Sequence, residues 1–262
     1  DINIIVLADM RSDFTEEEFR NFDAYLERGG NLFILGEPKR QQFMNPVIER
    51  LGLRFADGII VSPSEVNLDD LVAANIKEGA AKVSENYIRY FRSGYSIMTP
   101  SACAVEVIDS AKGFEITEVL ASAGKGSWVE KETTDFINEK SVLNPAVGEE
   151  EKSNSIMLYL TRPVNNKEQR IFVIGDADCI STLELSQNRP GFRSSNFTLI
   201  TETFRNLSYG EFPVEASRVN PPDDRVLVTR NVIFGIRVVL MWIIPLLFVT
   251  GCITLLIRRK RK

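Results

Sequence analysis

Short uncharged runs alternate with amphipathic stretches along the first part of the chain. Ile4-Ile5-Val6-Leu7 ends at Ala8-Asp9, and Leu32-Phe33-Ile34-Leu35 ends at Gly36-Glu37-Pro38. Both have the continuous apolar character of strands buried on two faces. Between them lies DFTEEEFRNFDAYLERGGN. Thr15 with Glu18 three residues later forms a capping box. Phe19, Phe22 and Leu26 recur at helical spacing, and Gly29-Gly30 stop the helix. Strand, helix and strand in this order predict a βαβ unit with parallel strands.

A second helix is predicted from Gln42 to Leu51, closed by Gly52, with a strand over Leu53–Val61. Residues 67–92 are mixed and polar, and read as helix and loop. Ala104–Ile108 and Glu115–Leu120 read as strands. Glu130–Glu151 is charged and carries Pro145 and Gly148, the mark of a solvated excursion. Ile156–Leu160 and Ile171–Ile174 flank RPVNNKEQ, which predicts an antiparallel hairpin at one side of the sheet. Asn196–Leu207 places Phe197, Ile200 and Phe204 at helical spacing. The pattern describes one α/β domain over residues 1–210 and a Pro-containing linker over 211–231. There is no internal repeat and no low-complexity segment.

The C-terminal pattern is different in kind. VVLMWIIPLLFVTGCITLLI, residues 238–257, carries no charge and has the length of a bilayer-spanning helix, about 20 residues. Pro245 is tolerated in such a helix. Arg258-Arg259-Lys260-Arg261-Lys262 follows at once, and such a cluster stays cytoplasmic. Residues 232–257 are therefore expected to cross a membrane and 258–262 to form a cytoplasmic tail. The bulk of the chain then lies outside the cytoplasm. Thr250, Gly251 and Thr254 lie close together on this helix. Small residues and hydroxyls of that kind suit packing against another membrane helix, although they are also common in membrane helices generally.

Composition narrows the chemistry. The 262 residues contain no histidine, which excludes Ser-His-Asp and Cys-His catalysis and any histidine-ligated zinc. The net charge is −5, and the portion before the basic tail is more acidic still. That balance argues against nucleic-acid binding. Cys103 and Cys179 could pair in an oxidising compartment or be two buried thiols. The chain starts at Asp1 and enters a strand at once, as expected of a fragment or a processed form.

The candidate chemistry lies at strand ends. RIFVIGDADCIS, residues 170–181, runs from a buried strand through Gly175 to Asp176 and Asp178. Parallel neighbouring strands would bring Asp9, Glu37 and Asp176 to one edge, with Asp178 close behind. Such carboxylates could hold magnesium or calcium, could form a two-carboxylate glycosidase pair, or could simply cap the next segment. Gly29-Gly30 follows a helix, so it is no phosphate loop. No GxGxxG opens a helix and no Walker sequence occurs. Asn196-Phe197-Thr198 and Asn206-Leu207-Ser208 match glycosylation acceptors, but both fall in a predicted helix.

Several of these stretches together resemble the GldG family. Its members are membrane-anchored auxiliary subunits of bacterial ABC transporters, named from gliding motility in Bacteroidetes. FTEEEFRNFDAYLERGGNLFILGEP resembles the family's acidic helix, Gly-Gly and apolar strand. LASAGKGSW resembles its "L-x-T-S-x-x-S-W" segment, with Ala121 in place of Thr. RIFVIGDADCIS resembles its "R-V-x-V-x-G-D-[SA]-D-F" segment, and Asn196 with Phe204-Arg205-Asn206-Leu207 resembles the helix that follows. The stretch from Ile244-Pro245-Leu246 through Gly251 to the Arg-rich tail resembles its last membrane helix.

The resemblance implies a flavodoxin-like, class I glutamine amidotransferase-like three-layer sandwich followed by a transmembrane helix. Those amidotransferases use a Cys-His-Glu triad, which a chain without histidine cannot form. The implied role is a non-enzymatic accessory or substrate-binding-like component in the inner membrane, without cofactor or metal. Its partners would be an ABC permease and, through it, an ATPase subunit, with any small-molecule or glycan ligand unidentified. Ligand or partner contacts are expected at Asp9, Glu37, Asp176, Asp178 and Asn196. The alternative is an extracytoplasmic carboxylate-dependent hydrolase or a metal-dependent sugar-binding protein. The orientation is directly testable. A fluorescent protein fused after Lys262 should fluoresce, and alkaline phosphatase fused there should be inactive; the opposite pair of results reverses the topology.

Overall fold

The computed structural model describes residues 3–109, 112–189, 191–213 and 230–260. The chain divides into two units, Asp1–Val214 and Glu215–Lys262. The predicted linker lies almost wholly outside the described residues, as do the last two residues of the basic tail.

The first unit is a mixed α/β domain built on a seven-stranded sheet. Its strands in spatial order are β1 (Ile4–Ala8), β2 (Asn31–Leu35), β11 (Lys167–Ile174), β10 (Ser155–Val164), β8 (Glu115–Ala121), β5 (Leu71–Ile76) and β6 (Ile97–Pro100). β1, β2 and β11 run parallel, with Val6, Phe33 and Phe172 in register. From β11 outward every pairing is antiparallel, beginning with the β10–β11 hairpin, which forms as expected but stands at the centre of the sheet rather than at one side. The parallel part follows from chain connectivity: α1 (Glu16–Glu27) carries the chain back between β1 and β2. Its capping box forms as expected, with the Glu18 N–H on Thr15 Oγ1 at 3.2 Å and the Thr15 N–H on Glu18 Oε2 at 2.7 Å.

Side chains of the central strands alternate between two apolar clusters. On one face Leu32, Ile34, Ile171 and Val173 pack against Phe22, Tyr25 and Leu26 of α1 and Met44, Val47 and Ile48 of α2 (Gln41–Ile48). On the other, Phe33, Leu35, Phe172 and Ile174 pack with Tyr87 of α3 (Glu85–Arg92) and Leu199 and Leu207 of α5 (Asn196–Leu207). Helices therefore cover both faces, which is why β2 and β11 need no polar face.

Three predicted regions differ from the structure. Residues 67–92 contain β5 as well as α3, and β6 follows unpredicted. β5 buries Val72, Ala74 and Ile76 on one side only. Its alternation is hidden in the sequence by the small and polar Ala73-Ala74-Asn75. The single strand expected over Leu53–Val61 is broken at Gly58, whose φ is +111°, into β3 (Leu53–Phe55) and β4 (Ile59–Val61). β3 pairs with β7 (Val105–Val107), and β4 pairs with β9 (Trp128–Glu130).

The third difference is the excursion after β9, which is folded rather than simply solvated. Phe136 and Leu143 pack with Ile59, Val61 and Trp128 in a small apolar cluster. Three buried carboxylates fix its course. Asp69 accepts the Ser141 N–H and hydroxyl at 2.9 Å and the Lys140 ammonium at 3.0 Å. Glu130 accepts the N–H groups of Glu132 and Thr133 and the Trp128 indole. Glu149 accepts the N–H groups of Lys131 and Asn144. Burial alone would raise the Asp69 and Glu130 pKa values, yet both lie below the ordinary value because these donors favour the charged form.

The second unit holds α6 (Arg230–Val238), a π-helical turn over Val239–Ile243, and α7 (Ile244–Lys260). Pro245 has no N–H and its ring crowds the carbonyl four residues back, and the widened turn directly before it accommodates both defects. Val232–Lys260 is long and apolar enough to cross a membrane.

The excursion gives a stability prediction. Asp69→Ala or Glu130→Ala strips a carboxylate from several donors and should cost on the order of 1–3 kcal/mol. Limited proteolysis should then cut between residues 130 and 151 faster than in the parent, with the sheet intact by circular dichroism. Because these pKa values are lowered, their stabilisation is present above the unfolded carboxylate range and is lost as the pH falls through the folded values. The same cleavage should appear in the parent chain in acid, below about pH 4.

Candidate acidic site at the strand ends

The carboxyl ends of β1, β2 and β11 meet at one edge, and two glycines shape it. Gly36 and Gly175 follow the register pair Leu35 and Ile174, and the Gly36 N–H donates to the Ile174 carbonyl at 2.7 Å. A Cβ on Gly36 would meet the Phe55 ring at 2.6 Å. A Cβ on Gly175 would collide with the backbone of Cys103. That backbone crosses here because the Cys103 N–H donates to the Gly175 carbonyl at 2.8 Å. Only glycine lets the two neighbouring chains come so close.

Beyond the glycines come Glu37 and Asp176, close enough that the charge of one acts on the other. Both extend rows that face the cluster of Phe33, Leu35, Phe172 and Ile174. Asp176 is fully buried. Its Oδ1 accepts the N–H groups of Asp178 at 2.7 Å and Cys179 at 3.2 Å, so it caps the short 3₁₀ turn Asp178–Ile180. Asp176 Oδ2 and Glu37 Oε2 are buried and have no hydrogen-bond partner in the structure. Burial first, then the neighbouring Asp178 charge, pushes Glu37 up to about 7. Burial and the Glu37 charge likewise push Asp176 well above the carboxylate range. Desolvation and like charge both favour the neutral acid here.

The other predicted residues behave differently. Asp9 sits beside these groups in a left-handed conformation, φ 42°, with its N–H on the Leu35 carbonyl. Burial raises its pKa, but hydrogen bonds from Arg11 and Arg40 outweigh this, and Asp9 stays ionised below the usual range. Asp178 is exposed. Asn196 is buried and fully engaged: its Oδ1 accepts the Met98 N–H and the Ser194 hydroxyl, and its Nδ2 donates to the Met98 and Cys179 carbonyls. It ties α5 to β6 and to the turn after Asp176. Asp9, Glu37, Asp176 and Asp178 are thus brought together, while Asn196 joins them only through the Cys179 backbone.

Among the described residues no group of three or more Cys, Asp or Glu side chains is arranged to hold a metal ion. Cys103 and Cys179 are free thiols, buried on either side of Asp176. Each donates to a backbone carbonyl, of Gly175 and Asp176 respectively, at 3.2 Å. Sequence reasoning missed Cys103 as a neighbour of this site, because the chain passes it only through a crossing that Gly175 permits. In the C-terminal helix, Thr250 donates to the carbonyls of Leu246 and Leu247, and Thr254 to that of Thr250. The hydroxyls bond within their own helix, and the face they share with Gly251 is exposed.

The chain therefore combines a mixed α/β domain, bearing an acidic strand-end loop, with one helix, among the described residues, that is able to cross a membrane. It belongs to the ABC_transp_aux family, described as "ABC-type uncharacterized transport system", which it matches over residues 1–208. It is an auxiliary component of an ABC-type transport system. Among solved structures it is similar in fold to the "mmIFT52 N-terminal domain", with a TM-score of 0.56 and 16% identity. That likeness covers 80% of this chain and 78% of the other. No match is found among curated proteins.

The Glu37 environment predicts a pH dependence. An acid with a folded pKa of about 7 and an ordinary unfolded value binds more protons when folded between the two. Its neutral form carries no penalty below the unfolded value, and stability falls as the pH rises through the folded one. The domain should melt lower at pH 8 than at pH 5.5, and Glu37→Gln should shrink that gap by roughly 2–4 °C. An unchanged gap in the variant would show that Glu37 ionises freely in the folded state.

Proposed function

We propose that the chain is a non-enzymatic, membrane-anchored accessory component of a bacterial ABC transporter of the GldG type. The observation that carries this reading is the family match across residues 1–208, on a chain whose Val232–Lys260 helix can cross a membrane. Residues 1–210 form the periplasmic domain, 211–231 the linker, 232–257 the inner-membrane span and 258–262 the cytoplasmic tail. The finer fold reading, flavodoxin-like and close to class I glutamine amidotransferases, draws support from the parallel β1-β2-β11 half with helices on both faces. The antiparallel half is where this chain departs from a wholly parallel sheet.

The strand-end chemistry supports a binding or structural role over catalysis. Asp176 caps a turn, Asn196 clamps two backbone segments, at Met98 and Cys179, and the two orphan carboxyl oxygens are shut off from solvent. Asp9 and the exposed Asp178 are the groups of this loop that remain for a ligand or partner. A carboxylic acid poised near neutrality would suit a general acid, which is the point in favour of a hydrolase. Such an enzyme must open the buried Asp176 and the half-buried Glu37 to its substrate.

The test is purification of the full chain in mild detergent. The permease of its transport system should come with it, and through the permease the ATPase. Recovery of the full chain alone, with the permease intact in the same extract, would sink the proposal. Replacing Gly251 with Leu on the Thr250–Thr254 face should reduce permease recovery, while membrane insertion and domain melting stay unchanged. For the hydrolase or sugar-binder alternative, calcium or magnesium should raise the melting temperature by several degrees relative to EDTA, and Asp176→Asn with Asp178→Asn should abolish the rise.

A further inference from the structure

The largest exposed apolar side chains of the domain include four that sit on two loops joined to each other. Val66 and Leu68 precede Asp69 on one loop; Ile137 and Val142 flank Lys140-Ser141 on the other. The joint is the buried Asp69 carboxylate, which holds the Lys140 ammonium and both the N–H and the hydroxyl of Ser141. Lys140 also donates to the Ser64 carbonyl at 3.2 Å. All four apolar residues lie within three positions of these contacts. Their relative exposures are 87% for Val66, 46% for Leu68, 80% for Ile137 and 72% for Val142.

Exposed apolar residues scattered singly need no explanation. These are different, because the fold holds them in place. Phe136 and Leu143, the neighbours of Ile137 and Val142 in sequence, are packed inward against Trp128. The loop therefore has an apolar core of its own and still leaves Ile137 and Val142 outside it. A buried ionised carboxylate is a demanding way to join two loops.

Charge around the tips indicates the occupant. Among the described residues, Lys140 is tied to Asp69. Asp135 is held below the usual carboxylate range by the Asn138 side chain first, with a contribution from the Lys39 charge. Glu65 and Glu139 are exposed and have no cation partner among the described residues, so the rim is acidic. An acidic rim repels an anionic lipid surface and complements a basic protein surface.

We infer that Val66, Leu68, Ile137 and Val142 form a docking surface for a protein partner that presents an apolar patch with a basic rim, and that this partner is the transporter's permease. The inference rests on the accessory reading above. It adds which face of the domain makes the contact.

The experiment uses the full chain expressed in membranes with its permease. Two double variants, Ile137→Asp with Val142→Asp and Val66→Asp with Leu68→Asp, should each lower permease recovery roughly tenfold or more. Their melting temperatures should match the parent, since the four side chains are exposed. Ile137→Met should retain binding. Glu65→Lys with Glu139→Lys should weaken recovery most at low salt, the signature of lost charge complementarity. If the parent chain recovers no permease, the accessory reading falls and this inference falls with it. If the parent recovers permease and both apolar double variants do so equally, this inference alone is overturned. Two further results would also overturn it. One is quenching by brominated lipid of a fluorophore placed at position 137 in nanodiscs without permease, which assigns the surface to the bilayer. The other is conversion of a parent dimer to monomer by the variants, which assigns it to a second copy.

Discussion

The parallel pairing of β2 with β11 is the contact on which the rest of the domain depends. It joins the N-terminal βαβ unit to the antiparallel half, and residues far apart in sequence become neighbours through it. The register that sets Leu35 beside Ile174 is followed on each strand by a glycine and then an acid, Gly36-Glu37 and Gly175-Asp176. A slip of one residue would turn every side chain of β11 to the opposite face and separate the two acids. The same pairing lets Phe55 cross over Gly36 and Cys103 cross over Gly175, so two remote segments are threaded over the strand ends.

Much of this half was legible in the sequence, for a physical reason. A strand buried on both faces must be apolar throughout, and ILVF runs followed by glycine and an acid announce both the strand and its end. The capping box and the helix stop added local signals of the same strength. The meeting of Asp9, Glu37 and Asp176 followed from strand polarity alone. The clamp made by Asn196 was not legible. Its main partner is the Met98 backbone on β6, and β6 is too short, at Ile97–Pro100, to show a pattern. β5 was hidden in another way, since alanine and asparagine blur a period of two.

The excursion shows a different limit. Clusters of glutamate and aspartate read as solvated because a charge in water is the ordinary case. Here Asp69, Glu130 and Glu149 are buried, and each accepts backbone N–H groups that would otherwise lack partners. Composition cannot distinguish a carboxylate facing water from one that organises a loop, because the difference lies in the surrounding donors. Two features in the sequence did point inward: Trp128 beside Val129-Glu130, and Phe136 amid charges. Both large aromatics need an apolar environment, and both find it in the cluster with Ile59 and Val61.

The domain thus contains two sets of buried acids whose protonation is set in opposite directions by the same rule. Around Asp69 and Glu130 the hydrogen-bond donors outweigh burial, and the charged forms persist. Around Glu37 and Asp176 too few donors are present, a like charge stands alongside, and the neutral forms are favoured. The first set gives rigid loops able to carry an exposed apolar surface. The second leaves orphan oxygens at the strand ends, a tension that an apolar pair in the same positions would not create. Any shift of the Glu37 loop would alter the burial of Glu37 and Asp176, and with it their hold on a proton.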